Sequence, residues 1–233
     1  MNRPDGFGIE ALADDAWLLR LGDTLDEGLN ARVHALAARI AADAPGWLRD
    51  VVPAYASLAV FFEPSLVPAE QVHAWLRRMT AAATGELPAA TGHRVEIPVI
   101  YGGEYGPDLA AAAAELGITP DQLAARHAAG DYTVAMIGFA PGFPYLFGLD
   151  PALALPRLAT PRVRVPAGSV GVAGRQTGIY PHESPGGWRL LGRTPLHLFD
   201  PDGEPPSALQ PGDRVRFIAI DAAGYAAFAE PDR

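Results

Sequence analysis

The residues able to do chemistry crowd into one part of this chain. Between positions 151 and 195 lie six arginines, Arg157, Arg162, Arg164, Arg175, Arg189 and Arg193, against a single acid, Glu183, in a protein whose net charge is −9. A cationic lining in an acidic chain suits an anion such as a carboxylate or a phosphate; the competing reading is arginines that merely solvate a β-surface. Ser169, in the run GSVG at 168–171, offers a hydroxyl nucleophile, but the histidines nearest in sequence are His182 and His197, and a serine in a tight turn is the favoured reading. Gly102 and Gly103 beside Glu104 would make an amide nest for an anion. Glu104 and Asp108 are spaced to hold a metal or relay a proton, although Asp108 would equally cap a following helix.

Absences narrow the chemistry. All 18 basic residues are arginine, so the chain can form no lysine Schiff base and has no P-loop lysine for a nucleotide. There is no cysteine, which excludes thiol nucleophiles, disulfides and cysteine-based zinc sites. Net negative charge without a basic tail argues against nucleic acid as a partner. No apolar run reaches the roughly 18 residues of a membrane span, and the first residues lack the pattern of a secretory leader, so a cytoplasmic location is expected.

The elements that must position these residues fall into two sets. Strands are expected over 8–12 and 16–21, turning at Asp14-Asp15, then a helix over 26–42 with Leu29, Val33, Leu36 and Ile40 on one face. Strands over 51–55 and 58–62 and a helix opened by Pro68, carrying Val72, Trp75, Leu76 and Met79, complete a ββαββα order. His34 and His73 are expected at a helix surface or an interface, not as ligands. Small residues, Pro and Gly over 85–92 mark a boundary, giving an α+β domain over 1–88 and a mainly-β domain over 89–233. The second set has strands at 95–101 and 132–137, helices over 108–116 and 119–128, and many short strands to residue 220, a barrel or a sandwich. In the run RVRV at 162–165, strand alternation puts Arg162 and Arg164 on one face and Val163 and Val165 on the other. The valine face is expected to pack inward, leaving both arginines to solvent or a groove.

Several runs, read together, are far more specific than any one of them: YGGEYGPDL at 101–109, GFAPGFPYL at 138–146, PR at 156–157 and 161–162, VPAGSV at 165–170, QTGIYP at 176–181, SPGGW at 184–188 and GRTP at 192–195. PAY at 53–55 with Ser57, and PGD at 211–213 with Val215 and Phe217, extend the pattern to both ends. This set resembles the bacterial family that holds the 5-oxoprolinase B subunits, the sporulation-kinase inhibitor KipI and the first subunit of allophanate hydrolase. It is also similar to part of the carboxyltransferase domain of urea carboxylase. The resemblance implies a cyclophilin-like barrel after the small α+β domain. It implies a B subunit that works with a homologous C subunit plus an A subunit, using ATP to open 5-oxo-L-proline to L-glutamate, and inactive alone. Its alternatives are a KipI-like inhibitor of a sensor histidine kinase, or a component of the allophanate hydrolase or urea carboxylase type. By motif position it assigns Tyr101, Gly102, Gly103, Glu104, Arg164, Ser169, Gln176, Thr177, Tyr180 and Trp188 to the mouth of a substrate pocket, with Arg175 and Arg193 as further anion contacts. It leaves the catalytic residues and the ATP-binding component unassigned and calls for no metal.

Overall fold

A computed structural model describes residues 7–81 and 92–229. Chain contacts divide it into two compact units, Met1–Thr91 and Gly92–Arg233. The expected boundary over 85–92 lies almost wholly outside the described residues, as do the first six positions.

In the first unit, β1 (Gly8–Ala13) and β2 (Ala16–Arg20) form a hairpin, followed by α1 (Glu27–Ala42), β3 (Leu48–Pro53), β4 (Ser57–Phe62) and α2 (Ala69–Ala81). The antiparallel sheet runs β1-β2-β4-β3, so Pro53, which has no N–H to donate, ends an edge strand. Asp26 caps α1 by accepting from the Leu29 amide at 2.8 Å. Val33, Leu36 and Ile40 of α1 and Val72, Leu76 and Met79 of α2 join Leu19, Leu58, Val60 and Phe62 in one apolar core. The buried face of α1 is wider than the apolar residues suggest, because it includes Asn30 and His34. Asn30 donates to the carbonyls of Ala54 and Tyr55, both at 3.1 Å, and so ties the helix to the PAY turn. The surface position expected for His34 is thus corrected, while His73 is half-buried against Trp17, ring centroids 4.9 Å apart.

The second unit is a closed seven-stranded barrel. It begins with β5 (Arg94–Tyr101), α3 (Leu109–Glu115), α4 (Pro120–Ala128), β6 (Tyr132–Ile137) and β7 (Pro144–Phe147). β8 (Arg162–Val165), β9 (Ser169–Ala173), β10 (Gln176–Ile179), β11 (Ser184–Gly186), β12 (Arg189–Arg193), β13 (Arg214–Ala219) and α5 (Ala222–Ala229) follow. Around the barrel the order is β10-β7-β6-β13-β5-β12-β9, closed by the β9–β10 hairpin; β13 and β5 are parallel and every other pair is antiparallel. The two inserted helices occur where their caps require. Thr119 and Gln122 form a reciprocal capping box at the start of α4, and Gly117, at φ 70°, ends the turn after α3.

β8 and β11 stand apart as a two-stranded ribbon, and here the alternation expectation fails. Val165 is buried, but Val163 is 82% exposed. A short ribbon with a shifted register, between Ser184 and Gly186, has no second layer to cover both inward positions.

An aromatic cleft and a buried proton-ordered chain

The run 138–146 enters the barrel through a tight loop: Gly138 donates to the Phe143 carbonyl at 3.1 Å and Phe143 to that of Ala140 at 3.0 Å. This loop hangs Phe139 over the β10 surface, where Phe143, Tyr145, Tyr180 and Trp188 gather. Phe143 meets Tyr180 and Trp188 edge to face at centroid distances of 5.2 and 5.5 Å, and Tyr145 meets Trp188 at 5.8 Å. Beneath them, Gly171 and Gly178 are cross-strand partners on β9 and β10. A Cβ on Gly178 would sit 3.1 Å from both Phe143 and Trp188 and 2.7 Å from the Pro144 carbonyl. The bare backbone of this glycine pair is what lets two large side chains approach the barrel so closely.

These rings frame a cleft of about 110 Å³, lined by Phe139, Phe143, Tyr145, Tyr180 and Trp188, by Pro185, Gly186 and Gly187 at the end of β11, and by Arg157. Burial raises both tyrosine pKa values above the ordinary phenol range, and the charge of Arg157 works against that rise at Tyr145 and Tyr180. The rim is held by α3. Arg162 donates to Asp108 at 2.6 Å, whose other oxygen accepts the Leu190 amide at 2.7 Å. Arg189 donates to Glu115 at 2.9 Å and to the Pro156 carbonyl at 3.2 Å, and Leu158 donates to the Gly187 carbonyl at 2.7 Å. Asp108 therefore anchors an arginine 54 positions away instead of capping α3 with its side chain. Glu104 lies exposed, and among the described residues no cluster of acidic or histidine side chains is placed to hold a metal.

A second arrangement lies inside the barrel. His127, on α4, is completely buried and stacks on Phe217 with ring centroids 4.8 Å apart. Its Nδ1 is 2.8 Å from the Tyr101 hydroxyl and its Nε2 is 2.9 Å from Thr177 Oγ1. Thr177 donates its one proton to the Gly171 carbonyl at 2.9 Å, so it accepts from Nε2–H, and Nδ1 is left to accept from Tyr101. Every proton in the chain Tyr101→His127→Thr177→Gly171 is assigned by this count. Burial alone lowers the His127 pKa to about 3, so the imidazole is neutral. The same burial holds the Tyr101 phenol well above its usual range.

The residues assigned by motif thus divide among several places. Tyr180 and Trp188 line the cleft. Tyr101 and Thr177 belong to the His127 chain, and the pocket-mouth position expected for Thr177 is corrected, since it is fully enclosed. Ser169 is also fully enclosed, its hydroxyl without a partner, and is likewise corrected from the mouth. Its partner across β9–β12 is Arg193, whose Nε is buried and unpaired and whose guanidinium lies 5.5 Å from the Tyr105 ring centroid. Gly102 and Gly103 both adopt positive φ, 74° and 54°, in the turn before Tyr105, and the Gly102 amide is already given to the Leu191 carbonyl at 3.0 Å. Arg175 is exposed in the β9–β10 turn and Gln176 is half-buried beside it. Arg164 is exposed and forms a two-point pair with Glu183, both contacts at 2.9 Å.

Sequence reasoning did not single out His127, Phe139, Phe143, Tyr145 or Arg157 as site residues. The aromatics lie in a run rich in glycine and proline, so density of rings and glycines was a usable signal. His127 carried none, because its partners come from strands 26 and 50 positions away.

Known proteins place this geometry in a lineage. Residues 7–209 match the family described as "Carboxyltransferase domain, subdomain C and D". The chain is 42% identical to the 5-oxoprolinase B subunit of Bacillus subtilis (strain 168), over 96% of its own length and 97% of that protein's. The solved structure of TTHA0988 superposes with a TM-score of 0.76 at 42% identity, covering 89% of this chain and 40% of that longer one. The Kluyveromyces lactis urea carboxylase structure superposes with a TM-score of 0.75 over 94% of this chain and 22% of its own, and at 17% identity shows a shared fold only. A profile match over most of the sequence and end-to-end identity with a B subunit lead to one conclusion: the chain belongs to the carboxyltransferase subdomain C and D family, which holds the 5-oxoprolinase B subunits.

Proposed function

We propose that this chain is the B subunit of a cytoplasmic, ATP-dependent 5-oxoprolinase that acts together with a homologous C subunit plus an A subunit. The observation that carries the reading is the identity with a named B subunit from one end of the chain to the other. The reaction takes one 5-oxo-L-proline, one ATP and two waters to L-glutamate, ADP and phosphate. A lactam is a poor electrophile. Phosphoryl transfer from ATP to its carbonyl oxygen makes the carbon attackable; one water adds there, the C–N bond breaks to leave an acyl phosphate of glutamate, and the second water hydrolyses that acyl phosphate to release phosphate. Both the substrate and the phosphorylated intermediate are anionic, which agrees with an arginine-bearing cleft in an acidic protein. The barrel on which the cleft is built is of the cyclophilin-like type in this reading. Glutamate and phosphate release, followed with the purified chain alone and with all three components, tests it. Turnover is expected only in the full set. Turnover by the single chain would remove the partner requirement, and an inactive full set would overturn the assignment.

A further inference from the structure

We infer that the aromatic cleft is a binding site for a small planar ring carboxylate, with the ring held among Phe139, Tyr145 and Trp188 and the carboxylate on Arg157. Four observations converge on it. The walls are five rings that meet edge to face, the half-buried Tyr145 and the exposed Phe139 beside the buried Trp188, while the end of β11 and Gly187 contribute Pro185 and two glycines of little bulk. The space, about 110 Å³, is only a few times the roughly 30 Å³ share of one water and suits a single small ring but not a nucleotide.

The cation is identified by elimination. Arg162, Arg164 and Arg189 each have an acidic partner. Arg157, Arg175 and Arg193 form no ion pair among the described residues, and of these Arg157 alone lines the cleft. An unpaired guanidinium beside apolar rings presents two parallel N–H donors, the geometry that a carboxylate matches.

Phe139 supplies the last observation. It is 64% exposed, and at φ 68° it is the one non-glycine among the described residues with positive φ. A large apolar side chain held in a disfavoured backbone state at the lip of a cleft is what a clamp over a bound ring requires. The cleft assignment rests on this geometry; identifying the ligand as 5-oxo-L-proline rests in addition on the 5-oxoprolinase reading.

Calorimetric titration of the full chain with 5-oxo-L-proline, pyrrole-2-carboxylate and uncharged 2-pyrrolidinone tests both steps. Both acids are expected to bind, and 2-pyrrolidinone at least about tenfold more weakly, the loss of one charge-assisted contact. Arg157→Gln should weaken both acids by a similar factor, leave 2-pyrrolidinone unchanged and keep the melting midpoint. Arg157→Lys should restore part of the affinity, and Phe139→Gly should weaken all three ligands. Binding of pyrrole-2-carboxylate that depends on Arg157, without binding of 5-oxo-L-proline, supports the cleft site and removes the lactam acid as its occupant. Full affinity in Arg157→Gln, or no binding of either acid at millimolar concentration, overturns the site and leaves the cleft to a side chain of a partner protein.

Discussion

His127 shows how one residue couples the barrel interior to pH. It is neutral in the folded chain with a pKa of about 3, against 6.5 for the free side chain. Between these values the unfolded chain binds a proton that the folded chain does not. Stability from this group is therefore complete above about pH 6.5 and declines as pH falls toward about 3, with a slope of up to about 1.4 kcal/mol per pH unit. Urea unfolding across pH 4 to 7 should show a steeper loss for the wild type than for His127→Gln, which has no titrating group at this position. Parallel pH profiles for the two proteins would mean that the acid response lies elsewhere. The neutral state also explains why a histidine is tolerated here: its Nδ1 accepts from the Tyr101 hydroxyl and its Nε2–H finds an acceptor in Thr177, so neither ring nitrogen is buried without a partner.

At the scale of elements, the β9–β10 hairpin does two opposed tasks. Val170, Val172 and Ile179 fill the barrel core, while Gly171 and Gly178 keep the other surface flat under Phe143 and Trp188. A methyl group at Gly178 would fall 2.7 Å from the Pro144 carbonyl, and backbone held in a barrel ladder cannot yield easily. Gly178→Ala is therefore expected to destabilise the chain by about 1–3 kcal/mol, as overpacking does, and to distort the cleft. Denaturant melts together with the near-ultraviolet circular dichroism of the aromatic cluster would measure both effects. A variant with unchanged midpoint and spectrum would show that the rings have room to move. The helix α3 matters for a different reason: Asp108 at its N-cap and Glu115 at its last position reach Arg162 and Arg189, and Arg189 also donates to the Pro156 carbonyl in the segment that carries Arg157.

Across the whole molecule, the two units have separate apolar cores. One core draws only on residues from 9 to 79 and the other two only on residues from 95 to 217. Independent cores predict independent folding. Residues 92–233, expressed alone, should unfold cooperatively and keep the native amide spectrum of the barrel. A molten fragment would show that the barrel needs the first unit to fold. No helix among the described residues is long and apolar enough to cross a membrane.

Local pattern was enough for much of this architecture, because caps, turns and helical periodicity act within a few residues. The capping box at Thr119, the Asp26 cap and the α1 face of Val33, Leu36 and Ile40 are all written in neighbouring positions. The family pattern was legible for the same reason, as runs of glycine, proline and aromatic residues at fixed spacing. What the sequence could not determine is which side chains meet. Barrel closure brings Tyr101, His127 and Thr177 together from β5, α4 and β10, and α3 brings Asp108 to Arg162. It also decides that Val163 faces solvent and that Arg157, not Arg164, borders the cleft. Hydrogen bonds and ion pairs act over about 3 Å, so partners separated by dozens of residues are chosen only when the chain has closed around them.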